Sequence, residues 1–172
     1  MSDTGEMKLD FIDPFVRAGF SVLETLLKAR PGRGPLAMRT SNSTTQQLTI
    51  VMKVSGDAEG VVLYGMSLVA AQKIASTMLE RPISEMDDAA WEAINELAKT
   101  INENATGLLS EAGHTCEISP AEVIRGVNVA VPTEVPALVV PISTRFGRLE
   151  IDIALSMGDQ ARKAAQLGPL SF

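Results

Sequence analysis

The sequence predicts an α/β chain of the α+β type, an antiparallel sheet flanked by about three main helices. Three observations carry this reading. A 3.6-residue apolar periodicity runs from Ser84 to Gly113, too long for anything but a helix. Alternating apolar runs are joined by short turn clusters, the pattern of hairpins rather than of parallel crossovers. Two shorter helical stripes, one opening the chain and one after the first hairpin, complete the helix set. With 172 residues, 45% of them hydrophobic and 21% charged, the chain has the material for a single core. One domain over residues 1–157 is expected, followed by a tail over 158–172 that reads equally as a short amphipathic helix or as disordered.

Taken in order, the first helix is expected to open at Asp13-Pro14, a capping residue followed by proline in the first turn. Its stripe is Phe15, Val16, Gly19, Val22, Leu23, Leu26 and Leu27, and Pro31 follows its end. Gly32-Arg33-Gly34-Pro35 reads as a flexible connection, too short and irregular for a phosphate-binding loop. Leu48, Ile50, Met52 and Val54 alternate with Thr49, Val51 and Lys53, a half-buried strand. Ser55 to Gly60 is a turn cluster, and Val61 to Tyr64 returns as the hairpin partner. Ser67 caps a second helix with Leu68, Ala71, Ile74, Ala75 and Met78 on its apolar side.

The long helix follows, with Asp87 and Asp88 at its dipole-positive start and Gly113 to stop it. Trp91, Ile94, Ala98, Ile101, Ala105 and Leu108 make its buried face, and Glu92, Asn95, Glu96, Lys99, Glu103 and Thr106 its wet one. Beyond it, Glu117-Ile118, Val123 to Val127, Val135 to Ser143 and Arg148 to Ser156 read as strands, the last two joined at Phe146-Gly147. Pro136 and Pro141 mark Val135 to Ser143 as an edge or bulged strand, and such a partly unpaired edge points to self-association as a homodimer.

Composition excludes several classes. A net charge of −6 and a pI near 4.8 argue against nucleic acid as partner. No apolar run approaches the ~20 residues that span a bilayer, so membrane insertion is not expected. Met1 to Asp10 lacks the pattern of an export signal, and the single cysteine, Cys116, fits a reducing compartment; the cytoplasm is the expected location. With one histidine, His114, and one cysteine, neither a Cys/His metal cluster nor several common nucleophilic devices are available. His114 is expected exposed beyond the helix stop, and Cys116 as a small core residue. Periodicity alone makes the polar stripe of the long helix a solvated face.

Three segments together resemble the CheC/CheX family of chemotaxis phosphatases. They are Asp13-Pro14-Phe15-Val16-Arg17-Ala18 with Val22-Leu23; Asp87-Asp88, Glu96-Leu97-Ala98-Lys99 and Ile101-Asn102-Glu103-Asn104-Ala105; and Ile118-Ser119-Pro120 with Val123-Ile124-Arg125-Gly126. The resemblance, over roughly residues 11 to 157, implies helices flanking an antiparallel sheet and hydrolysis of the aspartyl-phosphate on a CheY-type receiver domain. It implies that Glu96 docks the phosphorylated receiver, with Glu92, Glu103 and Pro120 also in contact. It further implies no cofactor, the magnesium belonging to the receiver. In that family an asparagine one turn after the glutamate orients the attacking water. Here that position is Lys99, which donates hydrogen bonds but accepts none. A second Glu-x-x-Asn, Glu92 to Asn95, lies one turn upstream, and Pro120 comes two positions sooner than is usual. The expected catalytic set is therefore Glu96 with Lys99 or Asn95. The alternative is a module that docks a receiver or a flagellar-switch partner without hydrolysis.

Overall fold

The structure, a computed structural model, describes residues 9–28, 30–40, 43–131 and 136–158. Its elements are α1 (Leu9–Leu27), β1 (Gly32–Arg33), β2 (Ala37–Arg39), β3 (Leu48–Gly56), β4 (Ala58–Met66), α2 (Leu68–Leu79), α3 (Asp88–Glu111), β5 (Cys116–Ile118), β6 (Glu122–Arg125), β7 (Ala137–Thr144) and β8 (Gly147–Met157). The α+β class holds, with three helices on an eight-stranded, wholly antiparallel sheet. The order is β1-β7-β8-β4-β3-β5, with β2 also on β7 and β6 also on β3.

Strand alternation builds the core. Leu48, Ile50, Met52 and Val54 of β3, Val62, Tyr64 and Met66 of β4, and Leu149, Ile151, Ile153 and Leu155 of β8 share the helix-side cluster with Phe15, Ile94, Leu97 and Ile101. Gly19 lets α1 sit close on the sheet, since a Cβ there would meet Ile151 at 3.1 Å and Tyr64 at 3.2 Å. The Tyr64 hydroxyl is satisfied by the Phe15 carbonyl at 3.1 Å, and burial pushes its pKa well up. The other sheet face is buried too, through Val51, Val61, Leu63, Val131, Ala137 and Ala154. That is why Val61 to Leu63 reads as a continuous apolar run.

Several expectations are corrected. α1 begins by Leu9, and Pro14 lies within it. Phe11 and Ile12, 5% and 7% exposed, extend the buried stripe ahead of the proline. Burying two such side chains offsets a lost backbone hydrogen bond. Asp13 pairs along the helix with Arg17 at 3.7 Å instead of capping. The hairpin turn is tighter than its residues suggest, because β3 runs to Gly56 and β4 starts at Ala58. Gly60, at φ 141°, stays in the ladder where a Cβ would lie 1.9 Å from the Ala154 carbonyl oxygen.

Gly32 to Pro35 is not a free connection. β1 and then β2 pair with β7, the Gly34 N–H donating to the Pro141 carbonyl at 3.0 Å. Pro141 thus turns its missing N–H toward this outer side and keeps the β8 ladder intact, but β7 is not the edge strand expected, since it pairs with β8 on one side and with β1 and β2 on the other. The chain's own short strands cover that edge, which removes the open edge invoked for self-association. Val135 and the tail over residues 159–172 lie outside the described residues. His114 is half-buried, its ring 4.7 Å from that of Phe11.

Candidate functional site

α3 starts at Asp88, four residues later than the run from Ser84 predicts, and stops before Gly113 as expected. Asp87 caps it, accepting from the Ala90 N–H at 2.8 Å, and this bond holds its carboxyl below the usual range. Gly113, at φ 87°, follows its end. Ala90, Ala93, Ile94, Leu97, Ala98, Ile101, Ala105 and Leu109 are its buried residues, while Trp91 and Leu108 are half-buried. The stripe is thus rotated slightly from the expected one, because α3 packs against both α1 and α2 and touches β5 on its flank. Glu92, Asn95, Glu96, Lys99, Glu103 and Thr106 are all exposed, as expected.

The polar face of α3 does not simply meet solvent. It borders a cleft of about 420 Å³ lined by Asn95, Lys99, Asn102 and Glu103 from the helix, by Ile118 at the end of β5, and by Pro120 and Ala121 from the β5–β6 connection. Two contacts fix that connection. The Ser119 N–H donates to the Lys53 carbonyl at 2.8 Å, and its Oγ accepts from the Lys53 N–H at 3.0 Å. Across the cleft, Asn102 Nδ2 donates to the Ser119 carbonyl at 2.8 Å. At the other end of the same flank the Arg125 guanidinium lies 3.7 Å from the centre of the Trp91 ring, a cation–π contact that accounts for the half-burial of Trp91.

The structure therefore brings Asn95, Lys99, Glu103 and Pro120 together, the shortened spacing to Pro120 notwithstanding. Glu92 and Glu96 stand outside the cleft. At 100° per residue Glu96 falls on the ridge between Lys99 and Thr100. On the far side of that ridge a more apolar groove of about 320 Å³ runs between α1 and α3, lined by Val22, Leu26, Met78, Leu97, Thr100 and Asn104 among others. Asn102 belongs to the cleft and was absent from the expected set. Its place at i+3 from Lys99 was the available signal.

Chemically the cleft offers one ammonium, two amides and a carboxylate over an apolar rim. Among the described residues Lys99 has no carboxylate within salt-bridge distance, so its charge is free for an anion. Cys116, half-buried at the foot of β5, has its thiol pKa raised by burial, which keeps it a packing residue.

A second polar cluster lies on the opposite sheet face. Arg39 of β2 reaches Asp152 at 2.5 Å and Glu150 at 3.1 Å, and Thr45 and Gln46 also donate to Glu150, at 2.7 and 3.1 Å. Burial and the neighbouring Glu150 push Asp152 up to about 7. Burial works against ionising Glu150, but the bonds from Thr45 and Arg39 outweigh it and hold its carboxylate below the usual range.

The site is an open cleft beside a long helix with a polar row and a proline-bearing connection, on an antiparallel sheet with its helices on one side. Residues 48–143 match the family described as chemotaxis phosphatase CheX, and the chain belongs to that family. It is 23% identical over 152 residues to the CheY-P phosphatase CheX of Thermotoga maritima, covering 88% of this chain and 97% of that protein. A CheC-like superfamily protein from Shewanella sp. PV-4 superposes with a TM-score of 0.76 at 21% identity, over 87% of this chain and 99% of that one. The CheX–CheY–BeF3–Mg complex from Borrelia burgdorferi gives a TM-score of 0.69 at 24% identity, over 87% and 99%.

Proposed function

We propose that this chain acts on a phosphorylated receiver domain of the CheY type and hydrolyses its aspartyl-phosphate. The observation that carries the reading is the cleft itself, in a chain of the CheX family. Lys99 with its uncommitted charge and Asn95, on one face of a rigid helix, meet the Pro120 connection there. The Thermotoga relative is a CheY-P phosphatase, and the Borrelia relative is seen with CheY, BeF3 and magnesium. Glu96 anchors the receiver from the ridge, Glu92 and Glu103 extend the acidic row, and Pro120 shapes the opposite wall. Lys99 donates to the phosphoryl oxygens. The magnesium belongs to the receiver, and this chain adds no cofactor. The setting is the cytoplasm, in keeping with a lone cysteine; no described helix is long and apolar enough to cross a membrane.

The step is a displacement at phosphorus. A water oxygen forms the new bond, and the bond from phosphorus to the aspartyl oxygen breaks. Its electron pair stays on the receiver's carboxylate, and both water hydrogens leave with inorganic phosphate. Nothing in it calls for a covalent group on this chain, so its contribution is position and charge.

Lys99 in the place of an amide favours a second reading, docking without hydrolysis. Release of phosphate from a purified phospho-receiver, with and without this chain, decides between them. Acceleration supports the phosphatase. Tight binding to the beryllofluoride-activated receiver without acceleration supports the docking module, and absence of both removes the receiver as partner.

A further inference from the structure

In-line attack on a phosphoryl group needs something that accepts a hydrogen bond from the water and holds its lone pair toward phosphorus. Lys99 cannot do this, since an ammonium only donates. Two amides line the cleft with it. Asn95 is exposed, and no side-chain hydrogen bond holds it among the described residues. Asn102 differs on each count. It is half-buried, and its Nδ2 is committed to the Ser119 carbonyl at 2.8 Å. A carbonyl partner requires the amide nitrogen, so the flip of the side chain is settled and Oδ1 is left as the acceptor. The Thr106 hydroxyl approaches Oδ1 only at 3.4 Å, having given its hydrogen to the Asn102 backbone oxygen at 2.8 Å. Asn102 also sits three residues after Lys99, so the two side chains are neighbours on the helix surface, about 5–6 Å apart at Cβ.

We infer that Asn102 is the catalytic amide of this chain: its Oδ1 holds the attacking water while Lys99 takes the phosphoryl oxygens. The inference rests on the phosphatase reading above and assigns within it the group that no family position supplies. The Ser119 bond pre-orients the amide before any receiver arrives, which an exposed and unheld Asn95 does not achieve. The water oxygen attacks phosphorus as its hydrogen points to Asn102 Oδ1. The aspartyl oxygen leaves with the electron pair, and the water's hydrogens end on inorganic phosphate, so the amide itself is unchanged.

The test compares the parent with Asn102→Ala, Asn95→Ala and the double variant Lys99→Asn/Asn102→Ala. It measures kcat for phosphate release and Kd for the beryllofluoride-activated receiver. Asn102→Ala is expected to lower kcat at least tenfold while Kd moves less than twofold. The double variant, with an amide returned to the same helix face one turn away but without the Lys99 charge, is expected to recover part of that loss. A clamp that merely held the Ser119 connection would instead weaken binding, and the second substitution would not repair it; that result overturns the assignment. So does an Asn102→Ala rate equal to the parent's, or a loss confined to Asn95→Ala, and in both cases the phosphatase reading stands. A parent that binds without accelerating release leaves no catalytic amide to assign, and one that does neither removes the phosphatase reading together with this inference.

Discussion

Lys99 and Glu96 differ by three positions, and the helix turns them to different neighbours. Lys99 lines the cleft with Asn95 and Asn102, whereas Glu96 stands on the ridge outside it. An exposed carboxylate with no bond to the rest of the chain adds little to folding. Replacing it therefore tests docking alone. Glu96→Ala is expected to raise Kd for the activated receiver by roughly three- to tenfold, to steepen neither slope of the melting curve and to leave its midpoint within about 1 °C. The loss should shrink as salt is added, since an exposed charge acts partly through steering. Titrations of parent and variant at two ionic strengths decide it, and identical affinities remove Glu96 as the anchor.

At the scale of elements, legibility followed the strength of local signals. α2 and α3 announced themselves through Ser67 and Asp87, whose caps form as their residue types require. The β3–β4 and β7–β8 hairpins were readable from alternation. β1 and β2 were not, because strands of two and three residues carry no period, and their pairing is decided by the β7 edge they cover. The start of α1 was hidden because Pro14 is an ambiguous mark that tertiary burial of Phe11 and Ile12 overrides. At the site, four of the expected residues share one cleft, since a single helix face supplies three of them. Asn102 was missed because its place in the cleft is fixed by the Ser119 carbonyl, a contact made across the fold.

The tie between β2 and β8 was equally invisible to periodicity, and it has a measurable titration. Asp152 is raised to about 7 in the folded chain, against about 3.9 for an unperturbed aspartate. Between these values the folded state holds the proton that the unfolded state has released, so stability falls as pH rises through the window. The thermal midpoint is expected to drop from pH 5 to pH 7.5. Asp152→Asn, which keeps the shape without the charge, should flatten that slope, as melting curves across the range would show. A slope unchanged in the variant would assign it to another group.

The whole molecule places its two polar sites on opposite sides of one sheet. The cleft lies on the helix layer, against α3 and the β5–β6 connection, and the Arg39 cluster lies on the other face, over β7 and β8. Among the described residues the layer between them is apolar: Ile50, Met52, Val62, Ile151 and Ile153, all fully buried, lie on the helix side of the sheet. A packed apolar layer transmits a shift only if it has a second arrangement, and these strands run in unbroken antiparallel register from β8 through β4 to β3. Stability and docking should therefore be separable. Arg39→Met removes the cation shared by Glu150 and Asp152 and leaves two carboxylates facing each other in a mostly buried setting. Uptake of a proton by Asp152 softens the loss, so a cost on the order of 3 kcal/mol is expected, equivalent to roughly 10 °C in the midpoint for a chain of this size. Affinity for the activated receiver, measured well below that midpoint, should stay within twofold of the parent. A variant that melts as expected but also loses affinity would show that the far face of the sheet is coupled to the α3 cleft, and the picture of α3 as a rigid, independent docking platform would fail.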